Sequence, residues 1–426
     1  MSEEKSGEKN IRDSSPPLGG GGRGGADGAS PAALAWRRLK KSKPAVFGMV
    51  LIAIAIFISV FAYQLSPDNT PDANEMLPEI ALMPPGFAID FLKVKKDKEE
   101  NQSSFITNFF SGKENSFKLI PVLKHEVKGK FLIAYSFTGE GLEPDTLTFN
   151  LADVAFANSL SDTSTKTENG KIIFTDFSGH QQKIPLTELR QQVERENFTR
   201  KTFWLGTDTY GRDILSRLLI GTRISLSVGG IAVFISLIIG ILLGALAGYF
   251  RGTTDAIISW LINVIWAIPT LLFVFAITVA LGKGFWQIFF AVGLTMWVGT
   301  ARVIRGQVMS LRELGYIEAA RSMGYSHLRI ILRHIIPNVI GPVMVMAASN
   351  FATAILVEAG LSFLGIGVQA PTPSWGSMIR DNYGFIVSGN PWMAIIPGVA
   401  IMILVLAFNL LGNGLRDALD VRTQMK

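Results

Sequence analysis

Six apolar runs, each of bilayer-spanning length, constrain this chain more than any other feature. They lie near residues 44–63, 225–249, 257–281, 285–304, 338–360 and 392–412. About twenty apolar residues cross the hydrocarbon core as a helix, the form in which the backbone satisfies its own hydrogen bonds. The composition agrees. The 426 residues are 48% hydrophobic, with a mean hydropathy of +0.33. Cysteine is absent, which excludes disulfides and thiolate metal sites.

Charge sets the expected topology. Arg37, Arg38, Lys40, Lys41 and Lys43 precede the first run, which puts the amino terminus in the cytoplasm. That run ends in AYQLSPD rather than in a small-residue cleavage site, so it reads as a retained anchor. Alternation then places 64–224 outside, 250–256 inside, 282–284 outside, 305–337 inside, 361–391 outside and the carboxy-terminal tail inside. Arg251, the arginines of 302–333, Arg416, Arg422 and Lys426 all fall inside on this count. The net charge of +6 thus reflects topology, and nucleic acid is not an expected partner.

The domains follow. Residues 1–33, with SSPPLGGGGRGG, read as a flexible cytoplasmic tail. Residues 34–63 are the first span with its basic flank, 64–203 an extracytoplasmic insert, and 204–426 the remaining five spans. Within the insert, 130–139, 146–156 and 171–179 alternate as strands do, and 185–197 reads as a surface helix. A small β-rich α+β domain is expected there.

Between the fourth and fifth runs stands EAARSMGYSHLRIILRHIIPN, Glu318 to Asn338. It is polar, rich in arginine and helix-forming, so it lies outside the bilayer on the cytoplasmic side. Glu318, Ala319 and Ala320 favour helix, Gly324 interrupts it, and Pro337 fits the first turn of the next span. The residues alone leave two readings open: an ordinary loop at the headgroups, or a docking element for a soluble partner.

This stretch resembles the EAA loop of membrane subunits of bacterial ATP-binding cassette importers. Glu318, Ala319, Ala320, Gly324 and Pro337 match the family spacing. His334 and Ile336 depart from the general pattern, but RHIIPN is similar to the RHILPN form of the peptide and nickel branch. Four further segments resemble that branch: 204–226, with Asp208, Gly211, Arg212 and Asp213, then WAIPT at 266–270, 358–379 and 391–403. The resemblance covers about 200–420 and says nothing about the insert.

The resemblance implies an all-α polytopic permease with six transmembrane helices and the type I importer core. It implies half of a translocation pathway, completed by a second homologous permease. Two ATPase subunits, carrying ATP-Mg, would dock on the loop, and an extracytoplasmic binding protein would deliver cargo. The expected location is the bacterial inner membrane, among its lipids, with both termini cytoplasmic. Short peptides are the expected cargo, nickel chelates the alternative. A membrane-anchored scaffold working through 64–203 is a different reading.

Single residues have competing roles. Glu358 is an ionisable group in an apolar run and reads either as a pore or outer-mouth group or as an interface residue bonded to the next loop. Asn350, Asn263 and Asn409 are candidates for the lumen or for interhelical bonds. Asp208, Arg212 and Asp213 suit local ion pairing, and Gly240, Gly244 and Gly248 form a stripe that admits a close helix. Trp375 reads as an interface anchor or as a contact for the delivering protein. No phosphate-cradling Walker loop, G-x-S-x-G or H-E-x-x-H occurs, and His125, His180, His327 and His334 do not cluster, so the chain is expected to be neither an enzyme nor a cofactor binder.

Overall fold

The computed structural model describes residues 31–96, 104–139, 141–156, 166–168, 170–175, 181–282 and 284–419. Most of the amino-terminal tail, His180 and Lys283 lie outside them, as does 420–426. The first helix, α1 (Pro31–Lys41), is basic, and α2 (Lys43–Val60) is apolar on every side. Such a helix is stable only where its surroundings are apolar too. The short α3 (Ala62–Leu65) leads into the α/β region.

That region carries β1 (Phe87–Lys95), α4 (Phe105–Ser111), β2 (Phe117–Lys128), β3 (Phe131–Ser136), β4 (Asp145–Asn150) and α5 (Leu151–Ala155). Then come β5 (Lys166–Glu168), β6 (Lys171–Thr175), β7 (Gln181–Pro185), α6 (Leu186–Glu196) and β8 (Phe198–Phe203). One antiparallel sheet runs β4-β3-β2-β1-β8 and a second runs β5-β6-β7. Successive residues of a strand face opposite sides. In β1, Leu92 faces a core with Ile120, Leu132, Leu189 and Val193, while Phe91 faces one with Ile80, Leu119 and Phe203. Pairing of β1 with β8, Phe87 opposite Phe203, brings the two ends of the region together.

The remaining helices are α7 (Ile214–Phe250), α8 (Gly252–Trp266), α9 (Thr270–Leu281), α10 (Phe285–Arg312), α11 (Gly315–Ser322), α12 (His327–Ile330), α13 (Ile336–Phe363), α14 (Trp375–Asn382) and α15 (Trp392–Leu419). Among the described residues, α2, α7, α10, α15 and the stretch 327–363 are long and apolar enough to cross a membrane. The bent pair α8 and α9 makes up to six spans. Helices α7 and α10 pack tightly because Gly240, Gly244 and Gly248 face α10. A methyl group there would meet Thr300 Cβ at 2.6 Å, the Ala301 carbonyl at 2.6 Å and the Arg305 carbonyl at 2.7 Å.

Three expectations need correction. The run 257–281 is not one continuous helix: Pro269, which lacks an N–H, divides it into α8 and α9, which meet at 93°. The strand expected over 146–156 ends at Asn150, whose side chain accepts from the Ala152 N–H at 3.3 Å and starts α5 instead. Trp375 is not an anchor at an exposed surface. It is 3% exposed, its ring lies against Gly221 of α7, and its Nε1 donates to the Leu218 carbonyl at 3.1 Å.

Candidate functional site

The loop 315–335 is built from two faces. Ile317 and Ala320 of α11 are buried with Ile330, Ile331 and Ile335 against Tyr249, Ile304 and Val308. This cluster fixes the loop on the ends of α7 and α10. The other face carries Glu318, Ala319, Tyr316, Met323 and Leu328, all exposed. Tyr316, Met323 and Leu328 are large apolar side chains left exposed on a polar loop.

Gly324 sets the angle between the two helices. Its φ is +80°, a left-handed conformation that glycine adopts without strain. The Gly324 N–H donates to the Arg321 carbonyl at 2.9 Å and the Tyr325 N–H to the Ala320 carbonyl at 3.1 Å, which closes α11 as a glycine cap. Nothing lies within 4 Å of a Cβ added at Gly324, so the glycine serves the backbone and not packing. The Ser326 hydroxyl accepts from the Arg329 N–H at 3.4 Å and opens α12.

Pro337 lies in the first turn of α13, and a π-helical turn, Ile331–Ile335, precedes it. Proline offers no N–H to the turn before it, so the ladder widens. Asn338 Nδ2 donates to the His334 carbonyl in the same turn at 2.6 Å.

Polar contacts tie the loop to the span ends. The Tyr249 hydroxyl lies 2.9 Å from His327 Nδ1, and the Arg321 guanidinium lies over the Tyr249 ring at 5.1 Å. Nearby, Arg305 of α10 grips Asp255 of α8 through Nε and Nη2 at 2.5 and 2.6 Å. Arg251 pairs with Glu313 at 2.7 Å.

The pre-span residues form a joint between the α/β region and α7. Arg212 Nε donates to Asp208 Oδ2 at 2.7 Å, and Arg217 Nε lies 3.9 Å from the same oxygen. Arg212 also donates from Nη1 to Asn74 Oδ1 at 3.2 Å. Gly211 has φ +72°, and the Leu77 carbonyl fills the place of its missing Cβ. Asp213 caps α7 by accepting from the Ser216 N–H at 2.9 Å and from the Ser216 hydroxyl. The hydroxyl in turn accepts from the Asp68 N–H at 2.9 Å. Burial raises the Asp213 carboxyl above its ordinary value, and the Ser216 bonds only partly offset this.

Glu358 is fully buried in α13. Its Oε1 accepts from the Ser362 hydroxyl at 2.7 Å. Ser362 Oγ also accepts from the Val368 N–H at 3.1 Å, so Glu358 is tied through Ser362 to the loop after α13, while Glu358 Oε2 and Ser225 Oγ are buried without a hydrogen-bond partner among the described residues. Asn350 donates from Nδ2 to Ser236 Oγ at 3.2 Å and to Thr300 Oγ1 at 3.0 Å, joining α13 to α7 and α10. Asn263 is exposed on α8 and accepts from Arg302 at 3.3 Å, while Asn409 is exposed on α15. These four candidates lie on three helices: Glu358 and Asn350 on α13, Asn263 on α8 and Asn409 on α15.

An open recess of about 480 Å³ separates the α/β region from the helices, lined by Tyr63, Asp72, Phe110, Arg223, Trp286 and Thr372. No three His, Asp or Glu side chains among the described residues converge as metal ligands would. Sequence reasoning missed Tyr249, Asn338 and the Asp255–Arg305 pair. Opposite charges at neighbouring span ends were the available signal for the last.

The family model "Binding-protein-dependent transport system inner membrane component" matches residues 240–425. A second, "N-terminal TM domain of oligopeptide transport permease C", matches 30–85. The dipeptide transport system permease protein DppC of Alkalihalophilus pseudofirmus is 45% identical over 217 residues, 51% of this chain and 71% of the relative. The glutathione transport system permease protein GsiD of Pectobacterium atrosepticum is 44% identical, over 51% and 72%. The oligopeptide transport system permease protein OppC of Bacillus subtilis is 40% identical, over 52% and 72%. A solved structure of the methionine transporter MetNI in an inward-facing conformation is similar at 21% identity and a TM-score of 0.40, covering 47% of this chain and 96% of that one.

Proposed function

The chain belongs to the family of binding-protein-dependent transport inner membrane components, and from this premise we infer that its loop 315–335 docks an ATPase subunit. It is a multi-pass inner-membrane permease subunit of a peptide importer of the ATP-binding cassette class, a transport component and not itself an enzyme. Such an importer works with ATPase and substrate-binding protein partners. The dipeptide, oligopeptide and glutathione names of its relatives favour short peptides as cargo.

We place both termini and the loop 315–335 in the cytoplasm, and the α/β region of 64–203 outside. A second, homologous permease completes the pathway, and two ATPase subunits carry ATP-Mg. The two-faced loop carries the docking assignment: its inner face is fixed to α7 and α10 by Ile317 and Ala320, and its outer face offers Tyr316, Met323 and Leu328. A helix seated in a groove of the ATPase would move with that subunit as nucleotide closes it. The cluster around Tyr249 would pass the movement to α7 and α10 and bias them between inward-facing and outward-facing packings.

Gly324→Val tests this. A Cβ at 324 meets nothing within 4 Å, but a valine there strains the left-handed backbone by about 1–2 kcal/mol. Assembly should persist while ATP-driven dipeptide uptake into proteoliposomes falls. Unchanged assembly, ATPase coupling and uptake together would refute the coupling role.

A further inference from the structure

We propose that α4 is a membrane-surface anchor that inserts Phe105 and Ile106 into the outer leaflet beside the first span. These two side chains are 81% and 68% exposed, on a helix whose sequence is FITNFFS. A domain surrounded by water has no use for such a face. What covers it follows from where α4 sits.

Helix α4 continues the outward face of α2. Phe47, Val50, Ile54 and Phe57 of α2 are all exposed, as a lipid-facing stripe must be. Phe57 contacts Phe61 with ring centroids 4.9 Å apart, Phe61 contacts Phe109 at 5.9 Å, and Phe109 contacts Phe105 at 6.3 Å. An unbroken aromatic ladder therefore runs from the span onto α4. Gln64 Nε2 donates to the Phe109 carbonyl at 3.3 Å and fixes the helix at the top of that ladder.

The height also fits. Arg223 donates from Nη1 to the Phe110 carbonyl at the end of α4. From Phe250 at the far end of α7, Arg223 is about 40 Å along the helix, which is the full thickness of a bilayer with its headgroups. Arg223 and the α4 carbonyl thus stand at headgroup level, and apolar side chains on α4 reach the acyl chains below. The anchor holds the α/β region down beside the first span, over the outer ends of the helices.

The chain has no cysteine, so single-cysteine variants carry a spin label at one place only. Ile106→Cys, Ile54→Cys and Asp145→Cys would be labelled in a transporter whose partner subunits have been freed of cysteine, in phosphatidylcholine nanodiscs. Collision with oxygen, which favours lipid, and with a neutral nickel chelate, which favours water, would be compared. The label at 106 should favour oxygen severalfold, like the one at 54 and unlike the one at 145. A water-like reading at 106, or protection from both reagents by a protein partner, overturns the proposal. The inference rests on the outside placement of the α/β region. Labelling of Asp145→Cys by a membrane-impermeant maleimide in spheroplasts reads that placement separately.

Discussion

The Tyr249 hydroxyl, in the last turn of α7, lies 2.9 Å from Nδ1 of His327, the first residue of α12. One polar contact thus joins a membrane-spanning helix to the loop that faces solvent. The Arg321 guanidinium over the Tyr249 ring adds a second link from α11. Tyr249→Phe keeps the ring and the buried cluster but removes the hydroxyl. A net hydrogen bond contributes about 0.5–1.5 kcal/mol, so coupling should weaken roughly two- to tenfold. Cargo-stimulated ATP hydrolysis in nanodiscs should fall by that factor while the purified complex stays intact.

The α7–α10 contact predicts a packing defect. Gly244→Ala places a methyl group 2.6 Å from the Ala301 carbonyl and 2.9 Å from Ile304 Cβ. Overpacking of this kind costs about 1–3 kcal/mol. The melting temperature of the detergent-purified complex should drop. Gly306→Ala on α10 meets nothing within 4 Å and should leave it unchanged.

Asp208 is the shared counter-charge of two buried guanidiniums, Arg212 and Arg217. Asp208→Asn leaves both without it. Breaking a buried ion pair from one side costs about 3–5 kcal/mol. Thermal half-life in detergent should shorten sharply, more than for Lys201→Gln, which breaks the more exposed pair with Glu75.

Asp213 predicts a pH effect. Burial raises its carboxyl in the folded state above the ordinary value of 3.8. Below 3.8 both folded and unfolded chains are protonated and no penalty exists. As pH rises from 3.8 through the raised folded value, the unfolded chain releases its proton first, so folding loses stability. Above that value the loss is constant. Asp213→Asn retains an N-cap acceptor without the charge. Its stability advantage over the native chain, read from melting temperatures, should therefore be largest near neutral pH and shrink on acidification.

The spans and the loop between α10 and α13 are legible in the sequence because their signals are local: apolar length, basic flanks, a glycine at the turn and a proline at the next helix. The strands β1, β2 and β8 are not. Pro121 and the bulge between Val122 and Lys124 break the alternation of β2, and FTRKTF shows its pairing only beside β1, far along the chain. Trp375 misleads for the same reason. A tryptophan in a turn-rich loop looks exposed until Gly221 opens a place for it on α7. Pro269 announces a disturbance, but the 93° angle depends on how α8 and α9 each pack against α10. Tyr249 carries no local mark, since its role depends on His327 and Arg321 folding back onto it.

The docking of the loop on an ATPase subunit is tested most directly by crosslinking from Met323, which is 64% exposed on the outer face of the loop. Met323 would be replaced by p-benzoylphenylalanine, the assembled importer irradiated in nanodiscs, and adducts identified by mass spectrometry. An adduct between this position and the ATPase subunit, absent from the same probe at Asp145, is the predicted result. An intact complex that contains the ATPase yet gives no such adduct, or an adduct only from Asp145, would contradict it.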